Sequence, residues 1–189
     1  MKIFEGIINL IYQSARGEKS IRRWWTPVGA LFFGSFLLLM LMVGVALDRY
    51  WGLPELLPSL LSLFISVPLL FIGIFLWLWC VILFFRAKGT PVPLNPPPKL
   101  IDTGPYAYSR NPMLSGALFM FVALGILIKS IAVTLVITPI LILIIVAELK
   151  MVEEPELEKR LGEPYRQYKK RVPMFFPKPW RLRGQKNRG

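Results

Sequence analysis

Apolar and polar positions are unevenly distributed along this chain: four stretches are almost free of charge, and nearly every ionic residue lies between or after them. Residues 28–47 contain no charged side chain, and twenty residues is about what an α-helix needs to cross a ~30 Å hydrocarbon layer. Trp24 and Trp25 precede this stretch and Tyr50 and Trp51 follow it, as interfacial anchors do. Residues 56–85 are also uncharged and hold Ser66-Val67-Pro68 near their middle. Two halves of that length would each be too short to span, and no polar turn divides them. The pattern therefore predicts one long, tilted helix kinked near Pro68. Residues 114–128 and 131–147 are separated only by Lys129-Ser130, which predicts a helical hairpin with a short first arm.

The stretches between these segments carry the unusual residues. In residues 2–13, Ile3, Phe4, Ile7, Ile8 and Ile11 recur at helical spacing, which predicts a short helix lying on the membrane surface. Residues 87–113 are rich in proline and read as a stiff, non-helical connector. Within it Thr103-Gly104-Pro105-Tyr106 reads as a turn. Asn111-Pro112 reads as a helix start, with Asn111 as N-cap and Pro112 as the first helical residue. The free amides of that helix start, with Arg110 beside them, are placed to receive a carboxylate or phosphate. The plainer alternative is that Arg110 only snorkels and Asn111 only caps. In residues 148–177, Glu153-Glu154 precede Pro155, which is expected to end or kink the helix. A short helix then runs to Gly162, and another carries Tyr165 and Tyr168 before Val172-Pro173. The two glutamates either hold a cationic or hydroxyl-rich ligand or merely complement a helix dipole.

Composition fixes the solvent. Apolar residues make up 54% of 189 positions, charged residues 18%, and mean hydropathy is +0.53. So short a chain cannot bury that much apolar surface in water, so the bilayer is the expected medium. With a cytoplasmic N-terminus and four spans, Lys2, Arg16, Lys19, Arg22 and Arg23, the 86–113 loop and the tail from Lys150 all face the cytoplasm. Only Arg49 and Lys129 fall outside, so the asymmetry of basic residues predicts both termini cytoplasmic. The first 20 residues have no signal-peptide core, and the first span is expected to serve as an uncleaved insertion signal. The compact length and missing targeting signal fit a prokaryotic plasma membrane. A net charge of +12 points to anionic lipid as a partner, through a C-terminal segment free of acids from Tyr165 onward and interleaved with Phe175, Phe176 and Trp180. Nucleic acid is not expected, because no recognition motif accompanies the charge. One cysteine, Cys80, and no histidine leave no internal disulfide and no ordinary metal site. Glycine-rich nucleotide loops and the G-x-S-x-G elbow are absent.

Two stretches together resemble a known family. Leu100-Ile101-Asp102-Thr103-Gly104-Pro105-Tyr106 with Arg110-Asn111-Pro112-Met113 resembles one signature of the isoprenylcysteine carboxyl methyltransferase and phospholipid methyltransferase superfamily. Glu153-Glu154, then Leu161-Gly162-Glu163-Pro164-Tyr165 and Tyr168-Lys169-Lys170-Arg171-Val172-Pro173, resembles its C-terminal signature. The resemblance covers roughly residues 98–177. It implies an integral membrane enzyme using S-adenosylmethionine, with an all-α fold: about four transmembrane helices ending in a helical hairpin, a cytoplasmic cofactor pocket and short interfacial helices. A lateral opening would admit a lipid-like or prenylated acceptor, carboxylate or amine. By position it implies a cofactor site at Lys99, Leu100, Ile101, Gly104, Tyr106, Asn111, Pro112, Met113, Leu114, Glu153 and Glu154. Arg110, Asn111 and Glu154 would act in catalysis, and Lys150 would touch substrate. The family's usual histidine is Asn111 here, and its frequent tyrosine is Leu114. An asparagine still offers both a donor and an acceptor. Methyl transfer from a sulfonium rests on orientation and desolvation, so it does not require an imidazole. Sterol-type NADPH reductases share part of the first signature, so a reductase, or a non-catalytic relative, remains the alternative. The chain reads as one membrane domain, 1–189: an interfacial segment (1–27), two spans (28–85), a methyltransferase-like core (86–177) and a basic tail (178–189).

Overall fold

A computed structural model describes residues 19–91 and 96–175, together with residues 5, 6, 8, 9, 12 and 13. Within the first helix, side chains are described from Pro27 onward. The long helices are α1 (Lys19–Trp51), α2 (Ser59–Arg86), α3 (Pro112–Leu127) and α4 (Ala132–Leu161), followed by the short α5 (Glu163–Arg171). A 3-10 turn, Gly104–Ala107, lies in the α2–α3 connector. No strand occurs among the described residues. Pro27–Trp51 of α1, together with α2 and α4, is long and apolar enough to cross a membrane. At 16 residues, α3 covers only about 24 Å, short of a ~30 Å core. The chain thus has an all-α integral membrane fold. Large apolar side chains such as Phe32, Phe64, Phe71 and Phe75 lie exposed on α1 and α2, a surface suited to acyl chains rather than water.

Small residues set the helix spacing. A Cβ on Gly73 of α2 would stand 2.8 Å from the Gly116 carbonyl of α3, and one on Gly116 would stand 2.9 Å from the Gly73 carbonyl. Without a hydrophobic drive between helices in lipid, such close backbone approach supplies the association energy. Phe121 of α3 and Val133, Ile137 and Leu141 of α4 form the buried core, against Phe36, Leu37, Met40 and Leu41 of α1. The hairpin turn is pinned at this end of the bundle. Lys129 adopts a left-handed conformation (φ 58°), and the Ser130 amide donates back to the Gly125 carbonyl, closing α3. Asp48 of α1 accepts from the Ala132 amide at 2.8 Å and from the Ser130 hydroxyl, and so caps α4. Lys129 also pairs with Glu55 and bonds to Ser59 at the start of α2.

The structure corrects one expectation about α4. Pro155 does not end it: the helix continues to Leu161. The reason is a widened π turn over Leu149–Glu153, in which the Glu154 amide donates to the carbonyl five residues back, at Leu149. This register absorbs a residue that cannot donate. The same device precedes Pro139, where Ala132–Ile137 forms a π turn and the Thr138 amide reaches Val133. Other boundaries move modestly, α1 beginning before residue 28. Of the surface helix expected over 2–13, Ile8 is described and helical, whereas Ile3, Phe4, Ile7 and Ile11 fall outside the described residues. The tail from residue 176, with Phe176 and Trp180, lies outside them as well.

Candidate active site

The end of the bundle opposite the hairpin turn gathers the C-terminal end of α2, the connector, the start of α3, the last turns of α4, and α5. Gly104 holds φ 59° in the 3-10 turn, and a Cβ there would press on Leu83 and Trp79 of α2. Glycine therefore lets the connector lie down on α2. Tyr106, one turn on, stacks edge-on against Phe84 with ring centroids 5.9 Å apart. Gly89 plays a similar part, since a Cβ there would collide with the Pro97 backbone.

The helix start at 111–112 is built differently from the expectation. Asn111 does occupy the N-cap position and Pro112 the first turn, but the Asn111 side chain makes no capping bond. Its Nδ2 donates to the Met174 carbonyl at 3.3 Å. The Arg110 amide donates to the Pro173 carbonyl at 2.9 Å, and the Asn111 amide to Met174 at 3.1 Å. Ser109 Oγ also donates to Met174. The segment after α5 thus lies along residues 109–111 like a short added strand, and claims donors that the spacing argument left for a ligand.

α5 turns away from α4 at Gly162 (φ 67°), the positive-φ stop that only glycine takes easily. Tyr165 and Tyr168, three apart, enter the interior at 3% and 2% exposure, and Leu100, Leu157 and Leu161 pack on them. Burial pushes both phenols well above their ordinary range, and Tyr106 likewise, so all three stay neutral.

Between these elements lies a cavity with about 820 Å³ of empty space, part of it open to solvent. Of the residues anticipated for the site, Lys99, Leu100, Ile101, Tyr106, Arg110, Asn111, Glu153 and Glu154 line it. Gly104, Pro112, Met113, Leu114 and Lys150 do not; Lys150 is exposed outside it. Sequence reasoning missed Phe84, Thr90, Leu149, Glu156, Leu157 and Arg160, which also line the cavity. The Glu156–Arg160 pair was visible as an i,i+4 acid and base, but such pairs usually sit on a solvated face. Here Arg160 Nε lies 2.7 Å from Glu156, and its Nη1 donates to the Pro97 carbonyl, tying the connector to α4.

Charge in the cavity is only partly settled. Glu154 is buried between two cations: Arg110 Nη1 lies 2.7 Å from Oε1, and Lys169 Nζ lies 2.7 Å from Oε2. The Arg110 contact is close but not aligned as a hydrogen bond, and Arg110 Nε, Arg110 Nη1 and Glu154 Oε1 are buried without a hydrogen-bond partner. Contact with the Glu154 carboxylate raises the Lys169 ammonium. The Glu153 side chain makes no ion pair or hydrogen bond among the described residues; its charged neighbours are Glu148, Glu154, Glu156 and Arg160. No cluster of metal-ligating side chains occurs among the described residues.

Comparison with known proteins bears on the same region. No curated protein and no solved structure matches the chain. The family model described as phospholipid methyltransferase matches residues 61–164, more than half of the chain, from the first turn of α2 to the start of α5. With its membrane helices and polar cavity at one end of them, the chain belongs to the phospholipid methyltransferase family, membrane methyltransferases acting on lipid-like substrates.

Proposed function

We propose that the protein is an S-adenosylmethionine-dependent methyltransferase whose acceptor is a membrane lipid or prenylated molecule bearing a carboxylate or an amine. The carrying observation is the Arg110–Glu154 pair: opposite charges in contact in a cavity, with Arg110 Nε and Nη1 and Glu154 Oε1 lacking an aligned hydrogen bond. Buried groups of this kind are costly unless a ligand completes them. The amino-acid part of S-adenosylmethionine is a zwitterion that suits both, its carboxylate on Arg110 and its ammonium on Glu154. Leu100, Ile101, Tyr106 and Leu157 offer apolar walls for the nucleoside. When bound, the cofactor supplies a methyl group activated by a sulfonium.

The chain's own residues then orient, exclude water and manage charge. Glu154 and Glu156 are committed to cations, so Glu153 is the carboxylate available to take a proton from an amine acceptor. A carboxylate acceptor arrives ionised and needs no base. Lys99 at the rim offers a positive charge to an acidic headgroup. A reductase binding NADPH would need several free cations for its phosphates, and Arg160 of the cavity lining is held by Glu156 and the Pro97 carbonyl. The exposed positions of α5, Arg166, Gln167, Lys170 and Arg171, would rest near an anionic leaflet, with both termini in the cytoplasm.

The test uses purified protein in vesicles of total lipid extract with methyl-labelled S-adenosylmethionine. Label entering the lipid fraction, with a lipid gaining the mass of one methylene, is the expected result. Absence of transfer to any lipid class would contradict the proposal.

A further inference from the structure

We infer that Lys169, which lies outside the cavity, is a positioning residue for the cofactor: it grips the outer oxygen of Glu154 and so keeps the inner oxygen out of hydrogen-bond alignment with Arg110, for the incoming ammonium. The inference rests on the cofactor reading above. Glu154 has two unlike faces. Oε1 meets Arg110 inside the cavity without hydrogen-bond alignment, whereas Oε2 meets Lys169 from α5 at 2.7 Å. Lys169 does not line the cavity, and its side chain is 37% exposed. It is fixed by a second carboxylate, Glu158 at 2.9 Å, four residues after Glu154 and thus one turn along α4. Lys169 therefore bolts α5 to the last turns of α4 and shares the Glu154 carboxylate with Arg110, one oxygen each.

The consequence has a definite sign. Arg110 and Glu154 already touch at 2.7 Å, and turning the carboxylate into a hydrogen-bond-aligned pair would satisfy both. Without Lys169, Glu154 swings into that pair, and the ligand must break it before binding. Affinity then falls. A purely electrostatic role predicts the reverse, since removing one positive charge makes the site more attractive to a cation.

The experiment is calorimetric titration of S-adenosylmethionine and of S-adenosylhomocysteine into wild type, Lys169→Met and Lys169→Arg, with thermal midpoints recorded for each. The two ligands share the amino-acid zwitterion, and only the first carries the sulfonium charge. Lys169→Met is expected to weaken both ligands alike, by about fivefold, as a partly exposed ion pair of ~1 kcal/mol implies. Lys169→Arg is expected to restore binding. Equal or tighter binding by Lys169→Met, or a loss confined to one ligand, overturns the positioning role while leaving the cofactor reading intact. A loss that Lys169→Arg does not rescue, tracking the fall in thermal midpoint, assigns Lys169 to structure alone and also overturns it. Wild type binding neither ligand overturns the cofactor reading itself.

Discussion

The Tyr168 hydroxyl donates to the main-chain carbonyl of Tyr106 at 2.8 Å, and through this bond α5 holds the connector that forms the cavity wall. The Ser109 carbonyl lies at 3.4 Å from the same hydroxyl. Both tyrosines are buried, so losing the donor leaves an acceptor without water to replace it. Tyr168→Phe is expected to cost about 1–3 kcal/mol. A lower thermal midpoint and weaker cofactor binding should appear together, because the wall and the fold share this bond. An unchanged midpoint would mean that the tethered 173–174 segment alone holds the connector.

The hairpin end should be separable from the site. Asp48 caps α4 from across the bundle, through the Ala132 amide and the Ser130 hydroxyl. Asp48→Ala is expected to lower stability by about 1–2 kcal/mol while leaving cofactor affinity as in wild type. Chemical or thermal unfolding in detergent, set beside ligand titration, reads both quantities. A loss of affinity larger than the loss of stability would show the two ends to be coupled.

Packing between α2 and α3 has no room for a larger side chain. A Cβ on Gly73 would already meet the Gly116 carbonyl at 2.8 Å and the Met120 side chain at 2.8 Å. Gly73→Leu is expected to destabilise by at least about 1–3 kcal/mol, the range for overpacked cores, since a backbone carbonyl cannot move aside as a side chain can. Folded yield in detergent, judged by a single symmetric size-exclusion peak, is the measurement. Wild-type yield and midpoint would refute the close crossing.

Much of this arrangement was legible in the sequence, for identifiable reasons. Charge-free runs near twenty residues can only be spans, and Lys129-Ser130 between two such runs is a hairpin. Tyr165 and Tyr168, three apart, shared a helix face as their spacing required. The course of α4 through Pro155 was not legible, because a proline reads as a break and a π turn has no signature of its own. The role of Asn111 was half legible: its position as the cap was correct, but a side chain can satisfy a distant carbonyl as well as a nearby amide. That Met174 would supply this carbonyl depends on how α5 folds back, which no local pattern states. Arg110 and Glu154 were both singled out, yet their contact with each other, and the third charge on Lys169, appear only when the hairpin closes.

Glu153 and Glu154 are adjacent but should behave differently. Glu154 is held by cations, whereas Glu153 lines the cavity with no partner among the described residues. Glu153→Gln is expected to keep cofactor affinity and to lower turnover of an amine acceptor by about 10²–10⁴-fold, the usual contribution of a general base. Turnover of an acceptor that is already ionised should hardly change. Equal losses on both acceptor types would remove the proton-accepting role.

The central claim is that the cavity between α3, α4 and α5 holds S-adenosylmethionine, with Glu154 gripping its amino group. Equilibrium binding of labelled S-adenosylmethionine to purified wild type and Glu154→Gln tests it most directly. The account predicts saturable binding to wild type and affinity at least about tenfold weaker in the variant, the value of a charge-assisted contact. Equal affinity for both proteins, or no saturable binding to wild type, would contradict it.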